Sequence, residues 1–161
     1  MERFRVLDIS GDVGLSAFGK SIDEAFINAA TGMYSLITNT DAIKEEKTID
    51  VSVESCSLDG LLVSWLNELI FHFDAYGFIG KKFIILEFTP ALTSVRVDPD
   101  PPPRWGAMCL GEAYQLKATV SGEEFDPERH EGKLLIKAAT YHKLRIEKVD
   151  DVWEIDVIFD I

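Results

Sequence analysis

The closing nonapeptide, Trp153 to Ile161, restricts the possible folds of this chain more than any other stretch. Trp153, Ile155, Val157, Phe159 and Ile161 occupy alternate positions, with Glu154, Asp156, Ile158 and Asp160 between them. Successive side chains of a strand point to opposite faces, so this run suits a strand buried on one side and suits no helix. The sequence stops on an apolar position of the pattern, and folding is expected to hold the α-carboxylate of Ile161 beside the Asp160 side chain. Two adjacent anions on an ordered strand end favour a cation. The plainer reading is a last strand with no further role.

The stretches before it supply what such a strand packs against. Phe4 to Leu7 reads as a first strand, Asp8 to Gly14 as a tight connection, and Leu15 to Gly19 as a second strand. Gly11 and Gly14 bracket Asp12, and glycine's backbone freedom would let that loop present the carboxylate inward. An Asp between glycines is also a common turn residue that bonds its own backbone. Ser21 and Glu24 have the spacing of a capping box. Ile22, Ala25, Phe26, Ala29, Ala30, Met33 and Ile37 then recur at three- and four-residue steps, which predicts a helix with one buried stripe.

Thr48 to Ser55 alternates as a strand. A second helix follows, capped by Ser57 or Asp59, striped by Leu61, Leu62, Trp65, Leu66, Leu69 and Phe73, and stopped at Gly77. His72 flanks that stripe without a second His or Cys at ligand spacing and reads as structural. Lys82 to Phe88 and Ala113 to Val120 are expected strands, separated by the proline-dense DPDPPPRWG, Asp98 to Gly106, which forbids helix and central strand alike. Lys133 to Thr140, His142 to Val149 and Val152 to Ile161 complete the set, the last two joined by an Asp150-Asp151 turn. Two helices among seven or eight strands make an α+β single domain, residues 1–161, with both helices packed on a largely antiparallel or mixed β-sheet.

At 161 residues one core suffices, since folding at this size buries roughly 70% of the unfolded surface. Cys56 and Cys109 form no CxxC pair and fit unpaired thiols in a reducing compartment, so a cytoplasmic location is expected. No segment reaches the roughly 18 apolar residues of a membrane-spanning helix. A formal charge of −12, from 28 acidic and 16 basic residues, argues against direct nucleic-acid binding, which depends on neutralising phosphates. Residues 129–148 run against that balance, with Arg129, Lys133, Lys137, Lys143, Arg145 and Lys148 opposed only by Glu131 and Glu147. They could face an acidic partner, although a solvated strand surface explains a short charge run equally well.

No GxGxxG, P-loop, GxSxG, HExxH or paired CxxC occurs, which removes the commoner nucleotide, hydrolase and zinc chemistries. What remains is carboxylates near the two ends of the chain. Should Asp12 pack beside the last strand, Asp12, Asp160 and the Ile161 carboxylate would form an all-oxygen cluster suited to a hard ion, Ca²⁺ or Mg²⁺, with Mn²⁺ as a further candidate. Like charges about 4 Å apart repel by about 4 kcal/mol at an effective dielectric of 20, a strain that a metal or a proton relieves. An enzyme using these carboxylates would be a metal-dependent phosphoesterase or a nucleotide-acting enzyme, with Lys137 stabilising transferred charge.

DISGDVGLSAFG from Asp8 to Gly19, SIDEAFINAATGMYSLI, LLVSWLNELIFHFDAYG, FDPERHE, IKAATYHKL and the terminal WEIDVIFDI together resemble the archease family from end to end. Archeases are cytosolic helpers of the tRNA-splicing RNA ligase that promote its guanylylation from GTP and its turnover, and they are not ligases themselves. The resemblance implies that Asp12, Asp160 and Ile161 match the family's divalent-metal site and that Lys137 matches a position serving the partner function. For an accessory protein of this kind, basic positions such as Lys137, Lys143 and Arg145 are expected to help dock the partner. Ile9 and Ser10 stand where the family's DHTAD loop carries His and Thr, so no loop histidine reaches the site. The stretch from about Thr89 to Gly111 is longer than in typical members.

Overall fold

In the computed structural model, residues 2–9, 11–92 and 112–161 are described. The proline-dense stretch from Asp98 to Gly106, and Trp105 with it, lies outside them. Seven strands and two helices follow one another as β1 (Phe4–Ile9), β2 (Asp12–Gly19), α1 (Ile22–Ile37), β3 (Lys47–Ser55), α2 (Leu58–Tyr76), β4 (Phe78–Leu92), β5 (Glu112–Glu124), β6 (Ala138–Val149) and β7 (Val152–Asp160). The strands form two antiparallel sheets, ordered β1-β2-β7-β6 and β3-β5-β4. The α+β class with two helices on antiparallel strands is therefore correct, with the sheet divided in two.

Between the sheets lies the helical layer. α1 meets β1, β2 and β7 of one sheet and β4 of the other, while α2 meets β6 and, across the layer, β3, β4 and β5. The expected caps are present. Ser21 accepts from the Glu24 N–H and Ser57 from the Gly60 N–H, and each satisfies a helix donor that has no intrahelical partner. Gly77 ends α2 at φ 70°, a left-handed conformation that costs a residue with a Cβ about 1–2 kcal/mol. α1 carries Ala25, Ala29, Ala30 and Gly32 because β2 lies close against it; a Cβ at Gly32 would stand 2.8 Å from the Leu15 side chain. Trp65, fully buried, donates its indole N–H to the Phe26 carbonyl at 3.1 Å and meets the Phe83 ring edge-on at 6.2 Å.

β7 occupies the interior of the first sheet, as its alternation requires. Leu15 pairs with Val157 and Ala17 with Ile155 across β2 and β7, and Ala139 pairs with Phe159 across β6. All six are buried in the core.

Three sequence expectations need correction. Asp12 is not in a loop: the hairpin closes through the Ile9–Asp12 pair with Gly11 at φ 81°, so Asp12 is the first residue of β2. Lys133 to Thr140 and His142 to Val149 are not two strands. Residues 133–137 form an extended strap whose backbone bonds the end of α1 (Lys133 N–H to Ile37, Leu134 N–H to Leu36), and one strand, β6, begins at Ala138. That strand contains a bulge. Thr140 pairs with Ile158 and Arg145 with Asp156, leaving residues 141–144 opposite Val157 alone, with Lys143 at φ 53°. Finally, Cys56 is disulfide-bonded, whereas unpaired thiols were expected. Cys109 lies outside the described residues.

Candidate metal centre

Register decides which way the two aspartates point. Val13 pairs with Phe159, and both are buried in the core. Strand alternation therefore sends their neighbours Asp12 and Asp160 to the opposite, outer face. The two residues, 148 positions apart in sequence, both line a cavity of about 140 Å³, together with Thr140, His142, Ile158 and Phe159. Asp12 is half-buried and Asp160 exposed. Among the described residues, no hydrogen bond or ion pair engages either carboxylate. Ile161 follows at 39% exposure and is not part of the cavity wall.

β6 brings the remaining groups. Ala138 pairs with Asp160, and the Lys137 N–H donates to the Asp160 carbonyl at 2.8 Å. Lys137 is thus fastened to the cavity's edge through its backbone, with its side chain in solvent. Thr140 donates its hydroxyl to the Ile158 carbonyl at 2.8 Å and accepts from the His142 N–H at 3.3 Å. Sequence reasoning missed Thr140 and His142. Period-two alternation would have marked Thr140 as facing the same side as Asp160, but the bulge that turns His142 toward the cavity leaves no local sequence signature.

The donor set suits a hard cation in kind. Two carboxylates are available, with an imidazole and a hydroxyl at the wall. No group of three or more His, Cys, Asp or Glu side chains converges to hold a metal ion among the described residues, so an ion here would depend on main-chain or water oxygens to complete its coordination.

Two of the six basic residues between 129 and 148 are neutralised within the fold. Arg145 bonds Asp156 at 2.9 Å, Glu147 at 2.7 Å and Glu154 at 3.3 Å, and these carboxylates, Asp156 foremost, raise its guanidinium above the ordinary range. It has little left for docking. Arg129 pairs with Glu123 and with Asp126 at 3.3 Å. Glu123, 2% exposed, also accepts the Lys44 N–H at 2.6 Å and lies 3.3 Å from Nε2 of His130. The Asp126 N–H donates to Nδ1 of His130 at 2.8 Å, so Nδ1 carries no proton, while Nε2 lies near Glu123 without forming a hydrogen bond to it. Burial alone would raise the Glu123 carboxyl, but the Lys44 N–H and Arg129 outweigh it and hold it below 4.5. The FDPERHE block, Phe125 to Glu131, is therefore a clasp between the end of β5 and the chain after α1. Its Arg129 is no free docking charge. His72 is 3.6 Å from Glu68 and contacts the rings of Phe71 and Tyr76, which agrees with a structural role.

Comparison with known proteins adds the wider context. The signature of the Archease protein family (MTH1598/TM1083) matches residues 4–161. The protein archease of Methanosarcina acetivorans is 32% identical over 160 residues, covering 99% of this chain and 97% of the relative. That of Aeropyrum pernix is 30% identical over 152 residues, covering 94% and 92%. The solution structure of Methanobacterium thermoautotrophicum protein 1598 superposes with a TM-score of 0.72 at 27% identity over 100% of both chains. The crystal structure of a Thermotoga maritima archease, described as a possible chaperone, gives 0.56 at 16% identity, covering 96% and 94%, and speaks to the fold alone.

Proposed function

The chain belongs to the archease family, and on that premise we propose that it is an accessory protein of the cytoplasm that promotes guanylylation and turnover of the tRNA-splicing RNA ligase, with a divalent ion held by Asp12, Asp160 and a main-chain oxygen of Ile161. One observation supports the ion above all others. Two carboxylates from opposite ends of the chain line one small cavity, and its lining among the described residues includes no Lys or Arg. Bound there, Ca²⁺ or Mg²⁺, or Mn²⁺, would neutralise those charges and present a Lewis-acidic centre to a partner. β2 and β7 hold the two aspartates on one side of the sheet, while β6 fixes the main chain of Lys137 beside them and leaves its ammonium free to meet an anionic group. The described residues offer no phosphate-cradling loop and no paired general base, which favours a part in which the chain binds, positions and presents.

Two measurements test this reading. Titration calorimetry with Ca²⁺, Mg²⁺ and Mn²⁺ should give one site per chain, weakened at least tenfold in Asp12→Ala with the fold retained by circular dichroism. Adding the chain to the RNA ligase with GTP should raise the yield of ligase–guanylate adduct, and Asp12→Ala should not. No heat and no change in adduct would end the proposal. Turnover of phosphorylated substrates by the chain alone, lost in Asp12→Ala, would instead make it a phosphoesterase or nucleotide-acting enzyme.

A further inference from the structure

The strap at residues 133–137 and the β6 bulge flank the carboxylate cavity and share an unusual surface. In a chain of net charge −12, residues 132–146 contain no Asp or Glu and carry Lys133, Lys137, Lys143 and Arg145. Arg145 is held internally, but the other three are exposed. Large apolar side chains lie among them, with Leu135 at 64% exposure and Tyr141 at 63%. Leu134 and Leu135 also border a groove of about 240 Å³ whose other walls include Phe73 and Phe125. It has room for one bulky side chain.

Two further facts separate this surface from an ordinary wet edge. Lys143 takes φ 53°, a left-handed conformation unfavourable for a residue with a Cβ and one that persists only where its surroundings enforce it. The bulge it sits in turns His142 into the cavity wall. The strap is anchored at both ends, by the Thr38 hydroxyl on the Glu131 carbonyl at 2.6 Å and by the Lys137 N–H on Asp160 at 2.8 Å, so its leucines are displayed by a fixed backbone. The strap reaches the cavity's edge at Lys137 and the bulge reaches its wall at His142, so the two border the cavity on the β6 side.

We propose that the strap and the bulge, through Leu134, Leu135, Lys137, Tyr141 and Lys143, form the docking surface by which a partner protein covers the carboxylate cavity, and that the partner presents an apolar side chain flanked by carboxylates. Charge complementarity selects this occupant: three exposed lysines, of which Lys133 also donates to the Ser35 carbonyl at 3.4 Å, on a stretch without Asp or Glu call for an anionic surface. RNA is anionic too, but the 28 acidic residues of the chain repel a phosphate polymer at range, and the groove takes a side chain. This inference rests on the ligase reading above and specifies the face by which the partner is met.

The test is binding of the RNA ligase to this chain in EDTA, so that no ion contributes, with Leu135→Asp, Lys143→Glu and Lys143→Gly compared with the control Lys148→Glu at the far end of β6. Glycine accepts φ 53° without strain, so Lys143→Gly removes the charge without disturbing the fold. Kd should rise tenfold or more for Leu135→Asp and Lys143→Glu and threefold or more for Lys143→Gly, stay within twofold for Lys148→Glu, and increase with salt. Equal affinity across all variants overturns the inference and leaves the ion site standing, because calorimetry tests that site separately. Loss of metal binding without loss of docking would count against the ion and for this surface. Tighter binding of a single-stranded RNA oligonucleotide than of the ligase at 150 mM salt, abolished by the same changes, would overturn the choice of partner.

Discussion

Glu123 illustrates how a single buried charge is retained. Its carboxylate is nearly inaccessible, yet it meets the Lys44 N–H, the Arg129 guanidinium and His130. Because these partners depress its folded-state pKa below the ordinary 4.5, its contribution to stability is complete above that value and is lost as the pH falls through the lower folded one. Glu123→Gln should therefore cost on the order of 1–3 kcal/mol at pH 7, the penalty of imperfectly met buried polar groups. Urea unfolding should show the gap to the unaltered protein narrowing below about pH 4.5. A gap that widened in acid would mean the carboxylate is not held ionised. Tyr34 is the opposite case. Its buried hydroxyl approaches the Gly80 backbone without a well-formed hydrogen bond, and burial pushes the phenol's pKa upward. Tyr34→Phe discards a poorly met polar group and should change stability by less than about 1 kcal/mol, in either direction. A loss above 2 kcal/mol in the same assay would show a strong bond at that oxygen.

At the scale of elements, the β6–β7 hairpin turns through Asp150 and Asp151, both left-handed at φ 51° and 65°. Two successive left-handed residues make the turn whose twist matches antiparallel strands, and glycine fills it with least strain. Asp151→Gly should raise stability by about 0.5 kcal/mol, read as a higher urea midpoint with an unchanged slope. A lower midpoint would mean that the Asp151 side chain supports the turn. The same hairpin shows how much one strand controls: β7 sets Asp160 against β2 on one side and β6 on the other, and the β6 bulge then decides what stands at the cavity's wall. At the N-terminal hairpin, closing the turn at Gly11 puts Asp12 under the strand's alternation, and that aims its carboxylate outward.

Across the whole molecule, the two sheets share one core because the helices between them touch both. Trp65 illustrates the coupling, since its ring packs on Phe83 of β4 while its indole N–H bonds α1 at the Phe26 carbonyl. Trp65→Ala should cost about 3–5 kcal/mol through the cavity it leaves, and far-UV circular dichroism and tryptophan fluorescence should still lose signal in one shared transition. Separate transitions would mean that the sheets unfold independently. No helix among the described residues is long and apolar enough to cross a membrane.

Local rules were enough wherever a residue's role depends on its chain neighbours. Caps at Ser21 and Ser57, the Gly77 stop, the helical stripes, the alternation of β7 and the Asp150-Asp151 turn were all legible, because periodicity and backbone preference act over a few residues. Strand pairing acts over the whole chain and was not. It decided that the strands divide into two sheets, that residues 133–137 stay outside β6, that Arg129 and Arg145 are absorbed by carboxylates, and that Thr140 and His142 join the cavity wall. The aspartates themselves could be named from the sequence as acids at two ends of a chain. Their meeting on one face of one sheet depends on the register of β2 with β7, an arrangement stabilised by core packing that no local stretch of sequence encodes.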